Sequence, residues 1–131
     1  MKPVAKIWDG QSVSSTTTYR SAVTKCPSGT PPAEYLATFD FTSTPNGTLS
    51  LEINNMQEVE YKQAVAAASG GLEANNTTGW QQKDLSPSAT ITVTSGASQN
   101  VTVKGRMVRF RFKYVNASSS GTVTGRLAMP G

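Results

Sequence analysis

Apolar and polar side chains alternate in several short runs of this chain, and a period of two is the mark of a strand. Over residues 35–41, Tyr35, Ala37, Phe39 and Phe41 share one parity, with Thr38 and Asp40 opposite. Over 49–54, Leu49, Leu51 and Ile53 point one way and Ser50, Glu52 and Asn54 the other. Between these runs lies Thr44-Pro45-Asn46-Gly47, and the Asn-Gly pair predicts a tight hairpin. Near the C-terminus, Val108, Phe110, Phe112 and Tyr114 alternate with Arg109, Arg111 and Lys113. A second hairpin is predicted across 116–121, with Val123, Leu127 and Met129 inward on the return strand.

Weaker runs occupy 16–27, 88–95 and 100–105. The first carries Tyr19, Ser21 and Val23 on one parity and stops at Pro27, before a rigid Ser28–Pro32 connection. Residues 56–69 are ambiguous. Val59 and Tyr61 alternate with Glu58, Glu60 and Lys62, which favours a strand, whereas Ala64–Ala68 raise helix propensity enough for a helical turn. A polar loop follows and ends at Trp80. Residues 1–15 have little periodicity and only Ile7 and Trp8 as strong apolar anchors, so they read as an extended N-terminal arm. The expected architecture is all-β: an antiparallel two-sheet β-sandwich, jelly-roll-like, over 16–131, with the arm at 1–15. Its expected core is Phe39, Phe41, Leu49, Leu51, Ile53, Phe110 and Phe112.

Composition agrees with that class. The chain has 131 residues, enough for one domain with a real core. Its 15 Ser and 17 Thr replace charge, which is held to 15%, and they suit strands and turns. Twelve Lys+Arg against eight Asp+Glu give a net charge of +4, and five of the twelve cations lie between Lys104 and Lys113. That local excess is either a solvated sheet face or a surface for an acidic partner.

Catalytic chemistry finds little to work with. There is no His, and Cys26 is alone, so an intrachain disulfide, a cysteine–histidine zinc site and the usual serine triad are excluded. Glu58 and Glu60 share a strand parity, but a solvated face explains them better than a carboxylate pair does. The expectation is no enzyme, no cofactor and no metal. Lys104-Gly105-Arg106 and the run that follows match an RNA-reading strand poorly, because the aromatics lie opposite the cations. No specific nucleic acid is expected. Trp80 could serve a sugar, or close one end of the core. The opening residues lack the apolar stretch of a secretion signal, and no run is long enough to span a membrane. Synthesis in a reducing cytoplasm is therefore expected, and the Asn-x-Ser/Thr triplets read as by-products of composition.

Trp8–Val23, the Ser/Thr-rich strands and the closing segment Arg106–Gly131 resemble the small β-sandwich capsid decoration or cement proteins of tailed bacteriophages. The resemblance implies a virion structural protein on the outside of the head that bridges major capsid subunits. It implies a homo-oligomer, a dimer or trimer, without catalysis or cofactor. On this reading Ile7 and Trp8 of the arm, with Arg109, Arg111 and Lys113 as an outward stripe, are the expected partner interface. The alternative is a tail-associated or carbohydrate- or receptor-binding sandwich module.

Overall fold

The computed structural model describes residues 2–14, 16–26, 33–43, 45–85, 88–94 and 98–129, so the Ser28–Pro32 connection lies outside the described residues. In chain order the elements are β1 (Lys2–Val13), β2 (Thr17–Arg20), β3 (Thr24–Lys25), β4 (Ala33–Ser43) and β5 (Asn46–Asn54). The helix α1 (Glu58–Ala67) and two 3-10 turns, Ser69–Gly71 and Glu73–Asn75, follow. Then come β6 (Gln81–Lys83), β7 (Ile91–Val93), β8 (Ser98–Gly105), β9 (Arg109–Ser118) and β10 (Gly121–Met129).

These strands form two antiparallel sheets, the all-β sandwich expected. The first has the order β1-β10-β4-β8. The second is centred on β9 and β5, with β2 and β3 along the outer side of β9 and β6 and β7 along that of β5. The chain passes between the sheets at one end of the sandwich, from β1 to β2, β4 to β5, β7 to β8 and β9 to β10. The registers fix this: Val13 pairs with Gly121 and Gly121 with Ser43 in the first sheet, while Asn46 pairs with Ser118 and Thr17 with Asn116 in the second. In effect, a four-stranded sheet is folded over on itself.

Both predicted hairpins are therefore corrected. β4 and β5 lie in different sheets, as do β9 and β10. The turning residues include Ser43 and Ser119, both at φ +66°, whereas Asn46 and Gly47 are already in strand β5. Gly47 is needed for close approach rather than for a turn. A Cβ there would run into the Val115 carbonyl and the Tyr114 ring. The local sequence carried a turn signal, but packing of the two sheets decided where the chain went.

The two inner faces interlock through aromatic rings. Phe39 meets Phe112 edge-on at 4.9 Å, Tyr35 meets Phe110 at 5.2 Å, and Phe41 meets Tyr114 at 5.1 Å. Such pairs add to the area term that drives burial. Phe39, Phe41, Leu49, Leu51, Phe110 and Phe112 are buried as expected, while Ile53 is only partly buried against the cluster. At the folded-over end, the buried Asn116 amide accepts from the Tyr114 hydroxyl at 3.0 Å and donates to the Ser119 carbonyl at 2.8 Å.

The N-terminal segment is not a free arm. β1 is an edge strand of the first sheet, paired along its length with β10. Ile7 and Trp8 are both buried, and Trp8 packs on Phe39 at 5.8 Å. Adjacent strand residues normally face opposite ways, and a register shift between Lys6 and Trp8 is what lets both turn inward. The same shift erased the periodicity that would have marked β1 as a strand.

Candidate functional site

The outer face of the second sheet carries the basic stripe. On β9, Arg109, Arg111 and Lys113 have the parity opposite Phe110 and Phe112, as the alternation requires. Across the ladder, β5 sets Asn54 beside Arg109, Glu52 beside Arg111 and Ser50 beside Lys113. At Arg109 and Arg111 this face is not open to water or to a partner. Residues 55–80 fold back over it as a lid, leaving Arg109 2% and Arg111 0% exposed. Lys113 is half-buried.

The lid begins where β5 ends. The buried Asn54 side chain accepts from the Met56 N–H at 2.9 Å and donates to the Thr78 carbonyl at 3.0 Å, so one amide ties both ends of the lid to the sheet. Helix α1 is built from good helix formers, with Glu58 and Glu60 in its first turn, where the helix dipole favours anions. Tyr61 is its only buried residue. The strand expected at Val59 and Tyr61 is thus a helix, and Val59 is 69% exposed. Gly70 and Gly71, at φ +69° and +65°, let the chain reverse after α1 and return along the sheet.

Each arginine is held from both sides. Arg111 Nε donates to Glu52 Oε1 at 2.8 Å, and its terminal nitrogens donate to the Glu73 and Asn76 carbonyls at 3.2 and 2.9 Å. Its guanidinium lies 4.0 Å above the Trp80 ring. Arg109 donates to Asn54 Oδ1 at 3.2 Å, to the Met56 carbonyl at 2.8 Å and to Glu58 Oε2 at 3.3 Å, and stacks 4.0 Å above Tyr61. Tyr61 and Trp80 meet edge-on at 6.1 Å, and the Tyr61 hydroxyl donates to Glu73 Oε2 at 2.7 Å. Arg20 also reaches Glu52, at 3.4 Å.

Electrostatics follow this geometry. Burial lowers the Arg111 pKa from its ordinary value, and the bond to Glu52 works against that shift. Glu58 is held below the usual carboxylate range, first by its hydrogen bond from Lys25 at 3.1 Å. Burial, then the bond to Glu73, pushes the Tyr61 phenol far up. A buried cation is tolerated only when its donors are matched, and here backbone carbonyls, carboxylates and ring faces match them. Two buried donors beside the arginines, Asn76 Nδ2 and Trp80 Nε1, have no protein acceptor among the described residues.

The residues expected to meet a partner are therefore dispersed. Ile7 and Trp8 belong to the core, Arg109 and Arg111 hold the lid, and only Lys113 keeps part of its side chain near the surface. Trp80 has one ring face occupied by Arg111, which removes that face as a sugar platform. A shallow recess of about 300 Å³ beside the lid is lined by Ile53, Asn55, Met56, Gly79 and Gln81, with no charged group. Among the described residues, no group of three or more His, Cys, Asp and Glu comes together to hold a metal ion. No helix among the described residues is long and apolar enough to cross a membrane.

The outer face of the first sheet stands in contrast. It presents Thr38, Asp40, Thr42, Asn100, Thr102, Thr122, Thr124 and Arg126, with no covering segment among the described residues. Side chains on it pair with one another: Thr38 with Asn100 at 3.0 Å, Ser98 and Arg126 with Asp40 at 2.7 and 3.0 Å, and Thr42 with Thr122.

No protein-family model and no curated protein matches this chain. Among solved structures it is similar to the PBSX exported protein XepA, with a TM-score of 0.60 and 14% sequence identity. The match covers 97% of this chain but only 37% of XepA. At that identity the likeness is one of fold, and the whole sandwich corresponds to part of a larger protein.

Proposed function

We propose that this chain is a non-enzymatic structural protein of a phage particle, and specifically a capsid decoration protein that bridges major capsid subunits on the outside of the head. The observation that carries the phage reading is the likeness over 97% of the chain to XepA, an exported protein of phage PBSX. The capsid reading adds the sequence resemblance of the two chain ends to cement proteins. It also draws on the form of the first sheet: a broad, uncovered, mostly uncharged face suits a protein surface better than a small ligand. The contact surface is reassigned accordingly. Ile7, Trp8, Arg109 and Arg111 serve the fold, and contact with capsid falls to the Thr-rich face and to Lys113.

The test is addition of the purified chain to expanded heads prepared without it. The expected result is saturable binding to the heads, full or empty, and a higher temperature of head rupture. A variant with Thr38, Thr122 and Thr124 changed to Lys should fold and bind weakly. Absence of binding to heads, with recovery on tails or on glycans instead, would overturn the capsid reading in favour of a tail-associated binding module.

A further inference from the structure

Three of the four sheet edges are interrupted. β1 carries three register shifts against β10. One side of the second sheet is divided between β2 and β3, of four and two residues, and the other between β6 and β7, of three residues each. Bulges and short strands of this kind keep sheet edges from pairing with other chains. β8 lacks these devices. It runs eight residues, contains no Pro, and pairs with β4 from Ala33↔Gly105 to Asp40↔Ser98 without a register shift. It ends its sheet, so its outer side meets no strand among the described residues.

We propose that β8 pairs antiparallel with β8 of a second copy of this chain, about a twofold axis at Val101, joining the two first sheets into one. The register comes from the strand itself. Gly105, at φ +139°, leaves the extended path, so the pairing segment is 98–104 and its midpoint is Val101. About that axis Ser98 faces Lys104 of the second copy, and Asn100 faces Thr102. Lys104 is the one charged residue on the edge. A parallel pairing would set it against itself, whereas the antiparallel pairing sets it against serine, and β4 already places Glu34 beside it. Val101 and Val103 are buried within their own core, so pairing needs no core to open. The strand is thus self-complementary, as a twofold interface must be. The proposal stands on this edge alone and does not depend on the phage reading.

The experiment measures the solution mass of the full chain by light scattering and sedimentation across micromolar concentrations. The expected species has twice the 13.9 kDa chain mass. Asn100→Lys with Thr102→Lys sets lysine opposite lysine twice and should give the monomer, because like charges directly across a ladder repel. Asn100→Lys with Thr102→Glu sets lysine opposite glutamate twice and should restore the dimer. A wild-type chain that stays monomeric, a Lys/Lys variant that still dimerises, or a Lys/Glu variant no more dimeric than Lys/Lys would each overturn the proposal. Circular dichroism verifies that the variants fold. Should they not, amide exchange on the wild-type chain decides: alternate amides of 98–104 should be protected on the side away from β4 as concentration rises, and unchanged exchange there rejects the pairing.

Discussion

The second sheet turns Arg109 and Arg111 outward and covers them; the first turns Thr38, Thr122 and Thr124 outward and leaves them half-exposed, with no covering segment among the described residues. Both faces arise from the same period of two, with aromatic residues on the inner side. The difference lies in what the chain does between strands. Residues 55–80 supply carbonyls, the Glu58 carboxylate and two ring faces over the arginines, and no comparable segment is described over the threonines. Alternation assigns a residue to a face. It does not say whether that face is wet.

The largest expected effect is at Arg111. Arg111→Ala leaves Glu52 with only the longer Arg20 contact and strands the Glu73 and Asn76 carbonyls under the lid, and should cost about 3–5 kcal/mol in denaturant unfolding. Arg111→Lys should recover little of that, since an ammonium cannot serve three acceptors in the guanidinium plane and stack on Trp80. By contrast, Thr102→Ala on the open face, whose side chain bonds to no described group, should stay within about 0.5 kcal/mol of the parent. Similar losses at the two positions would erase the distinction between the faces.

Stacking can be separated from hydrogen bonding. A double-mutant cycle between Arg111 and Trp80 should give a coupling of about 2 kcal/mol, the value for a desolvated cation over an indole. Additive losses would mean that Trp80 only fills space.

Much of this fold can be read along the chain, and the parts that cannot have physical causes. Phe39, Leu51 and Phe112 were legible because unbroken strands keep strict parity. β1 was hidden by the shift that buries Ile7 and Trp8 together. The Asn46-Gly47 signal pointed to a hairpin because glycine serves tight turns and close contacts equally well, and here it makes room for Tyr114. The lid was hardest. Val59, Tyr61 and their charged neighbours fit a strand as well as a helix, and the buried role of Tyr61 depends on Arg109, 48 positions away in the chain. The one local signal was the alanine run at 64–68, which did mark helix.

A smaller effect concerns alkali. Burial first, then the Glu73 bond, raises the Tyr61 phenol above its ordinary value of 10, and burial likewise raises Tyr114 and Tyr35. A phenol harder to ionise in the fold than in the unfolded chain contributes fully below that ordinary value. Its contribution is lost as pH rises from there toward the folded value. Stability should therefore hold near neutrality and decline above about pH 10. Tyrosinate absorbance should rise for these three residues only as the chain unfolds. Tyr61→Phe should flatten part of the decline at a cost of about 1 kcal/mol at neutral pH. An unchanged alkaline slope in that variant would separate Tyr61 from the effect.

The chain itself closes the basic face of β9 over Arg109 and Arg111. The arginine side-chain N–H signals in a proton–nitrogen spectrum of the free chain near neutral pH test it most directly. Slowly exchanging Nε–H signals are expected for Arg109 and Arg111, ring-current shifted by Tyr61 and Trp80 at 4.0 Å, while the exposed Arg106 and Arg126 exchange rapidly. Fast exchange and unshifted signals for Arg109 and Arg111 would contradict it, returning the stripe to the surface as a face open to a partner.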